Sequence, residues 1–418
     1  MRKFGKESTA PTEGVNRESG GWLQNHGALA VCIIALLAFV LRTAFAYGVS
    51  ADGNFALSGG SEAQYHLHVV ESILNGSFVI GADAAANYPI GGLNLNPPLY
   101  DFIAAGIGSI GGASFALAVL APIFGALTVF PVYLVGKELR SVKVGVLAAL
   151  IYALLALPIS ASVFSNGTEF AFAAFLFAFF ILMMIKLIKK VDEDVLAVKE
   201  AVIAGVFLGL IALTWNGFRM ILVLLIIVMV IQIVLDRFNS KDFKVPLYSY
   251  SIVMVIGVVM GALYYIPAGL WDAVFSGPVL ITVTAVVFGF IFRAVASKPW
   301  IFTIPALIIA FAAVAVVLFF VDSDLCTALL VGNSSYTNPI MQELVKGGVS
   351  ISTMSSYFGW FLMWMPFAVG IYEFYKYARK DRSNGQLFLT MLFLIPWMFA
   401  WTSYGAAVVA GVVFAIAS

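Results

Sequence analysis

FAFAAFLFAFFILMMIKLI fills residues 170–188, and Lys189 and Lys190 follow it at once. Apart from Lys186 the run carries no charge. Roughly 20 apolar residues, coiled as a helix, cross a hydrocarbon core of about 30 Å. Lipid supplies no partner for a backbone N–H or C=O, so a helix is the form that satisfies them all. Comparable runs recur near 28–47, 114–136, 144–163, 201–218, 220–236, 249–268, 275–292, 300–320, 357–375, 387–402 and 404–418. With 62% hydrophobic and 11% charged residues and a mean hydropathy of +1.00, the chain lies outside the range of soluble domains. The expectation is an all-α polytopic membrane protein of about twelve helices, with thirteen as the upper count.

The basic residues orient these spans. Residues 1–27 form a polar leader, and the run after it is too long for a signal-peptide core, so it reads as a retained span. If that leader is cytoplasmic, all but Arg42, Arg219 and Lys346 of the 23 Lys and Arg residues fall in inner loops. That is the bias that sets topology. The outer side then holds Asp52, Glu62, Glu71, Asp83, Asp101, Glu169, Asp272, Asp322, Asp324 and Glu343. Orientation does not require such an excess of acids. It is read either as loop solvation or as a supply of hard oxygen ligands for a divalent cation. Cys32 and Cys326 lie on opposite sides of the membrane in this topology and imply no disulfide.

Chemistry concentrates in the first outer loop, residues 48–113. Its stretch GGSEAQYHLHVVESILNGSF, residues 59–78, holds two of the three histidines. Leu67, Val69, Val70, Ile73 and Leu74 make a helical stripe over 61–76, with Ser61 placed as an N-cap. Glu62 and His66 stand four apart and share a face of that helix. A carboxylate and an imidazole so placed can hold a metal or orient a diphosphate around one. The same residues read equally as interface histidines with Glu62 as a cap. NYPIGGLNLNPPLYDF follows, and its Pro and Gly residues set an extended, shaped loop. Residues 99–110 are too short to span and read as a helix in the outer interface. Further outer loops lie at 165–169 and 321–356. Sequons stand at Asn75, Asn166 and Asn333, in predicted outer loops where they could be glycosylated.

SGGSEAQYHLHVVESIL followed by YPIGGLNLNPPLYDF resembles the first outer loop of the catalytic subunit of oligosaccharyltransferase, in its archaeal type. Tyr65-His66, Tyr88-Pro89-Ile90-Gly91-Gly92 and Pro97-Pro98-Leu99 stand where that family's motifs stand. Arg42, GALTVFPVYLVGKEL at 125–139, ALTWNGF at 212–218 and the long outer loop at 321–356 match as well. The resemblance implies a GT-C glycosyltransferase transmembrane domain over 28–418. Its activity would move an oligosaccharide from a lipid-linked (dolichyl) diphosphate to Asn of an Asn-x-Ser/Thr sequon, at the outer face of a prokaryotic, archaeal plasma membrane.

On that resemblance Glu62, Glu169 and Glu343 are the catalytic carboxylates, and Glu62 and Glu169 hold Mg²⁺ or Mn²⁺. Tyr65, His66, His68, Tyr88 and Pro97 shape the substrate site, and His68, where the family often has Arg, meets a phosphate. The implied partners are the lipid-linked donor, a sequon-bearing polypeptide, membrane lipid and a partner subunit or soluble domain, with no nucleic acid. The family's first-loop Asp is Glu62 here, and its second acidic motif is reduced to Glu169. Glu343 lacks a clear motif around it, and the soluble C-terminal domain is absent from these residues. Two other readings stay open: a GT-C enzyme using a monophosphate-linked sugar, or a non-catalytic relative that binds lipid-linked sugar.

Overall fold

The stretch at 170–188 forms all but the last turn of a long helix that is apolar on every side. Phe, Leu, Ile and Met fill positions all around it, and a helix hydrophobic all round is a buried one. In the computed structural model it runs Phe170–Asp192 and is buried along nearly its whole length. The residues described are 26–44, 55–83, 85, 89–92, 96–238, 241–269, 280–295, 297–302, several between 305 and 320, 349–379 and 383–418.

The helices along them are α1 (Gly27–Thr43), α2 (Gly60–Leu74), α3 (Leu99–Gly111), α4 (Ala113–Leu127), α5 (Val129–Leu139), α6 (Val142–Leu154), α7 (Ala156–Ser160) and α8 (Phe170–Asp192). Then come α9 (Val198–Ala212), a 3₁₀ turn at Asn216–Phe218, α10 (Arg219–Phe238), α11 (Lys244–Tyr265) and α12 (Leu280–Ala294). After a gap follow α13 (Ile351–Phe358), α14 (Met365–Arg379), α15 (Asn384–Ala400) and α16 (Tyr404–Ala417). Isolated strand-like bridges pair Val79 with Ala82 and Asp83 with Gly92.

Helix α8 is the hub, packed by α4, α5, α9, α11, α15 and α16. Lipid tails are as apolar as Leu, so close packing of small residues holds such helices together. At the α5–α6 crossing a Cβ on Gly136 would lie 2.7 Å from the Cα of Gly145. The two backbones therefore touch where neither residue has a side chain.

Four stretches among the described residues are long and apolar enough to cross a membrane: Ala113–Leu139, Phe170–Asp192, Asn216–Arg237 and Lys244–Tyr265. The other apolar helices are shorter, and two of the expected spans are broken. The span expected at 144–163 divides into α6 and α7 with Leu155 extended between them. Pro158 has no N–H for the carbonyl of Leu154, which ends α6 there. The one expected at 357–375 is interrupted after α13 by Gly359, whose φ is +82°. Most of 300–320 lies outside the described residues. Residues 99–111 do form a separate short helix, as expected, and Gly112 with φ +87° turns the chain into α4.

Candidate active site

Helix α2 presents Ala63, His66, Val69 and Val70 as its buried face. The spacing of three and four residues puts His66 in the middle of an otherwise apolar stripe. That stripe packs on α3 and α4. The helix starts one residue earlier than expected: its N-cap is Gly59, without a side-chain cap bond, and Ser61 is exposed in the first turn. The expected Ser61 cap is therefore corrected. Gly59 lies against the loop before α8, where a Cβ would come within 2.2 Å of the carbonyl oxygen of Asn166. Only glycine lets the two segments meet so closely.

That meeting is stitched by hydrogen bonds. The N–H of Ser58 donates to the carbonyl of Ser165 at 2.7 Å, and the Ser165 hydroxyl donates to the carbonyl of Ala56. Ser165 itself holds φ +70°, a conformation uncommon outside glycine. Arg42, at the end of α1, secures the same loop from below. It is fully buried, its Nε donates to the Ser162 hydroxyl at 2.7 Å, and its Nη1 donates to the carbonyl of Ala38 at 3.0 Å.

These contacts bring three ionisable groups together at one ring. His66 Nδ1 lies 2.6 Å from Asp101 Oδ1, and His66 Nε2 lies 2.8 Å from Glu169 Oε2. Asp101 belongs to the first turn of α3, and Glu169 is the N-cap residue of α8. The N-terminus of a helix favours a negative charge. All three side chains are at most 3% exposed. Tyr65 and Tyr100 stand edge-on to the imidazole, with ring centres 5.4 and 5.3 Å away. The second carboxylate oxygen of Asp101 is buried with no partner.

The electrostatics follow from the burial. Desolvation alone would push the His66 imidazole down, but the Asp101 and Glu169 carboxylates outweigh it and hold His66 well above its ordinary value. Burial raises the Asp101 carboxyl, His66 opposes the rise, and the charge of Glu169 adds to it. Burial followed by the charge of Asp101 raises the Tyr65 phenol. The arrangement is an imidazole bridging two carboxylates, with both ring nitrogens engaged.

Several expected residues lie elsewhere. His68 points away from His66 and pairs with Asp83 at 3.0 Å, beside a cavity of about 230 Å³ lined by Ser72, Ser77 and Phe78. In this structure the His68 imidazole is paired with a carboxylate. Glu62 is half-buried in the first turn of α2, and its charge is felt at Tyr404. Pro97 is buried ahead of α3. Beside it Asn96 accepts a 2.9 Å bond from Asn216, part of the expected ALTWNGF segment, and Asn216 in turn accepts from the Tyr265 hydroxyl at 2.5 Å. Tyr88 and Glu343 lie outside the described residues, as does Asn333.

Of the other two sequons, Asn75 is exposed at the end of α2. Asn166 is buried, and its Oδ1 accepts from the Thr168 N–H and hydroxyl at 3.2 and 2.5 Å. The expectation that Asn166 is open to glycosylation is corrected, because its amide is built into the loop.

Asp101 was not singled out in the sequence as a site residue, although a signal existed. Tyr100, Asp101, Ala104, Ala105 and Gly108 form the buried stripe of α3, so this acid stands on an apolar face.

Whether these residues suit a divalent cation turns on the donors left over. His66 has no free nitrogen, and no group of three His, Cys, Asp or Glu able to hold a metal occurs among the described residues. Glu62 and Glu169 supply hard carboxylate oxygens, the donor type such a cation prefers. Mg²⁺ characteristically takes one or two carboxylates and completes its shell with substrate phosphates and water. The donor set fits a cation of that kind.

Comparison with known proteins agrees with the fold. Residues 65–276 match the family described as oligosaccharyl transferase STT3, N-terminal. Dolichyl-phosphooligosaccharide-protein glycotransferase 1 of Archaeoglobus fulgidus is 28% identical over 192 residues, covering 45% of this chain and 31% of that protein. The archaeal oligosaccharyltransferase AglB from Archaeoglobus fulgidus, in complex with an inhibitory peptide and a dolichol-phosphate, superposes with a TM-score of 0.71 at 20% identity, over 95% of this chain and 50% of that one. The Archaeoglobus fulgidus oligosaccharyltransferase in complex with Zn and sulfate gives 0.65 at 20% identity, over 93% and 48%. The chain thus spans a third to a half of the length of these relatives.

Proposed function

Because the chain belongs to the oligosaccharyl transferase STT3 family, we propose that it transfers an oligosaccharide from a lipid-linked (dolichyl) diphosphate to the side-chain amide of Asn in an Asn-x-Ser/Thr sequon. The observation that carries this reading is the buried Asp101–His66–Glu169 arrangement, which joins the first long loop to the start of α8. Ionisable groups kept buried in an apolar chain mark a functional site.

In the reaction the amide nitrogen attacks the anomeric carbon. The C–N bond forms, the C–O bond to the diphosphate breaks, and the diphosphate leaves with its electron pair while the amide loses a proton. In this reading Glu62 and Glu169 bind and polarise the acceptor amide. A divalent cation, Mg²⁺ or Mn²⁺, held by the same two carboxylates would supply the positive charge that the departing diphosphate needs. Tyr65 closes one side of the ring and Pro97 fixes the entry into α3; Tyr88 as a substrate-binding residue and Glu343 as a catalytic carboxylate remain part of the proposal by resemblance alone. His68 meets the donor phosphates once it leaves Asp83.

The distribution of Lys and Arg supports placing α2 at the outer face, with the leader at 1–27 in the cytoplasm. The setting is the plasma membrane of an archaeon, with a soluble domain or partner subunit finishing acceptor recognition.

The test is transfer of a lipid-linked oligosaccharide to a fluorescent sequon peptide, with Mn²⁺ and with EDTA, comparing the wild type with Glu62→Gln. Metal-dependent glycopeptide that disappears in the variant supports the transferase. Donor binding without transfer supports the non-catalytic reading, and transfer that ignores EDTA supports the metal-free glycosyltransferase.

A further inference from the structure

We propose that Asp101 is a positioning residue: acting through His66, it fixes the Glu169 carboxylate for the cation. The inference rests on the proposed role of Glu169 and adds a residue to it. The geometry is that of a brace. Asp101 holds Nδ1 at 2.6 Å, so the opposite nitrogen is directed at Glu169, 2.8 Å away. Tyr65 and Tyr100 both pack edge-on against the ring and oppose its rotation. Glu169 itself has no side-chain cap bond to its helix, and the His66 contact sets its orientation.

Stability alone does not call for this group. A buried ionic cluster can be exchanged for well-packed apolar side chains at little or no loss. Asp101 also keeps one buried oxygen unpartnered, which is unfavourable unless the carboxylate is needed. In metal sites, ligating carboxylates are themselves hydrogen-bonded, and loss of such an outer partner weakens metal binding roughly 10- to 100-fold. His66 is the outer partner here, and Asp101 is what orients it.

The experiment is a Mn²⁺ titration of the full chain in lipid nanodiscs, followed by electron paramagnetic resonance with no donor or acceptor present. Asp101→Asn keeps the shape of the side chain, and its thermal transition is recorded alongside. The expected result is Mn²⁺ affinity lower by roughly 10- to 100-fold, with Asp101→Asn/His66→Gln no weaker than His66→Gln alone, because both substitutions break one chain of contacts. Affinity for Asp101→Asn equal to that of the wild type, while Glu62→Gln and Glu169→Gln lose binding, overturns the positioning role and leaves the proposed cation site standing. A wild type that takes up no Mn²⁺ overturns both. Losses that add in the double variant overturn the brace by showing independent effects.

Discussion

Replacing His66 by Ala removes the one group that stands between two buried carboxylates. At contacts of 2.6 and 2.8 Å, each charge pair attracts by about 6 kcal/mol at the effective dielectric suited to protein sites. Burial of the ions offsets most of that attraction, and the measured penalty for removing one member of a buried pair is about 3–5 kcal/mol. His66→Ala should therefore destabilise the chain by about 4 kcal/mol, read as the shift in an SDS-unfolding titration in mixed micelles. The informative comparison is the same substitution made in an Asp101→Asn/Glu169→Gln background. With the carboxylates already neutral, only the ring's packing and two ordinary hydrogen bonds are lost, about 1–2 kcal/mol. The difference between the two backgrounds isolates the electrostatic coupling. Equal penalties in both would refute the reasoning and make His66 a packing residue that happens to touch acids.

The same site sets a pH dependence. His66 and Asp101 are both raised in the folded protein, so the native state holds more protons than the unfolded chain, and stability falls as pH rises. For His66 the contribution is full below about pH 6.5, the unfolded value, and disappears as pH climbs through the raised native value. SDS-unfolding midpoints at pH 6 and pH 9 should differ more for the wild type than for His66→Gln. Gly59→Ala places a methyl within 2.2 Å of the Asn166 carbonyl. It should cost about 1–3 kcal/mol as an overpacking change, with faster proteolysis of the two joined loops as the readout. Peptide mapping by mass spectrometry of the protein from a glycosylating host should find glycan on exposed Asn75 and none on Asn166, whose amide is already bonded within its loop.

What the sequence made legible follows the strength of its physical signals. Long apolar runs such as 170–188 and 249–268 carry the helix in their composition, and α8 and α11 lie where those runs lie. The break after α6 was written in Pro158, but a hydropathy window averages over a single proline and reads one span from 144 to 163. The pairing of Glu62 with His66 on one helix face was visible from spacing. The actual partners of His66 stand 35 and 103 residues away in sequence, a distance at which no periodicity speaks. Asp101 was hidden for that reason. The contact of His68 with Asp83 was likewise out of reach of the sequence, because it depends on a loop path set by the pairing of Asp83 with Gly92.

The separation between His66 and Glu169 also has a meaning in time. Helix α2 leaves the ribosome before its second carboxylate has been made, and 103 residues separate the two. At about 5–20 residues per second, the gap lasts on the order of 5–20 s. Through that interval the imidazole can be met by Asp101 alone. The site is thus completed only once α8 has been threaded into the membrane, and a nascent chain stalled before Glu169 holds a charged ring with half its counterions. Synthesis order makes assembly of this centre a late event in the life of the chain, one that reports whether the central helix has arrived.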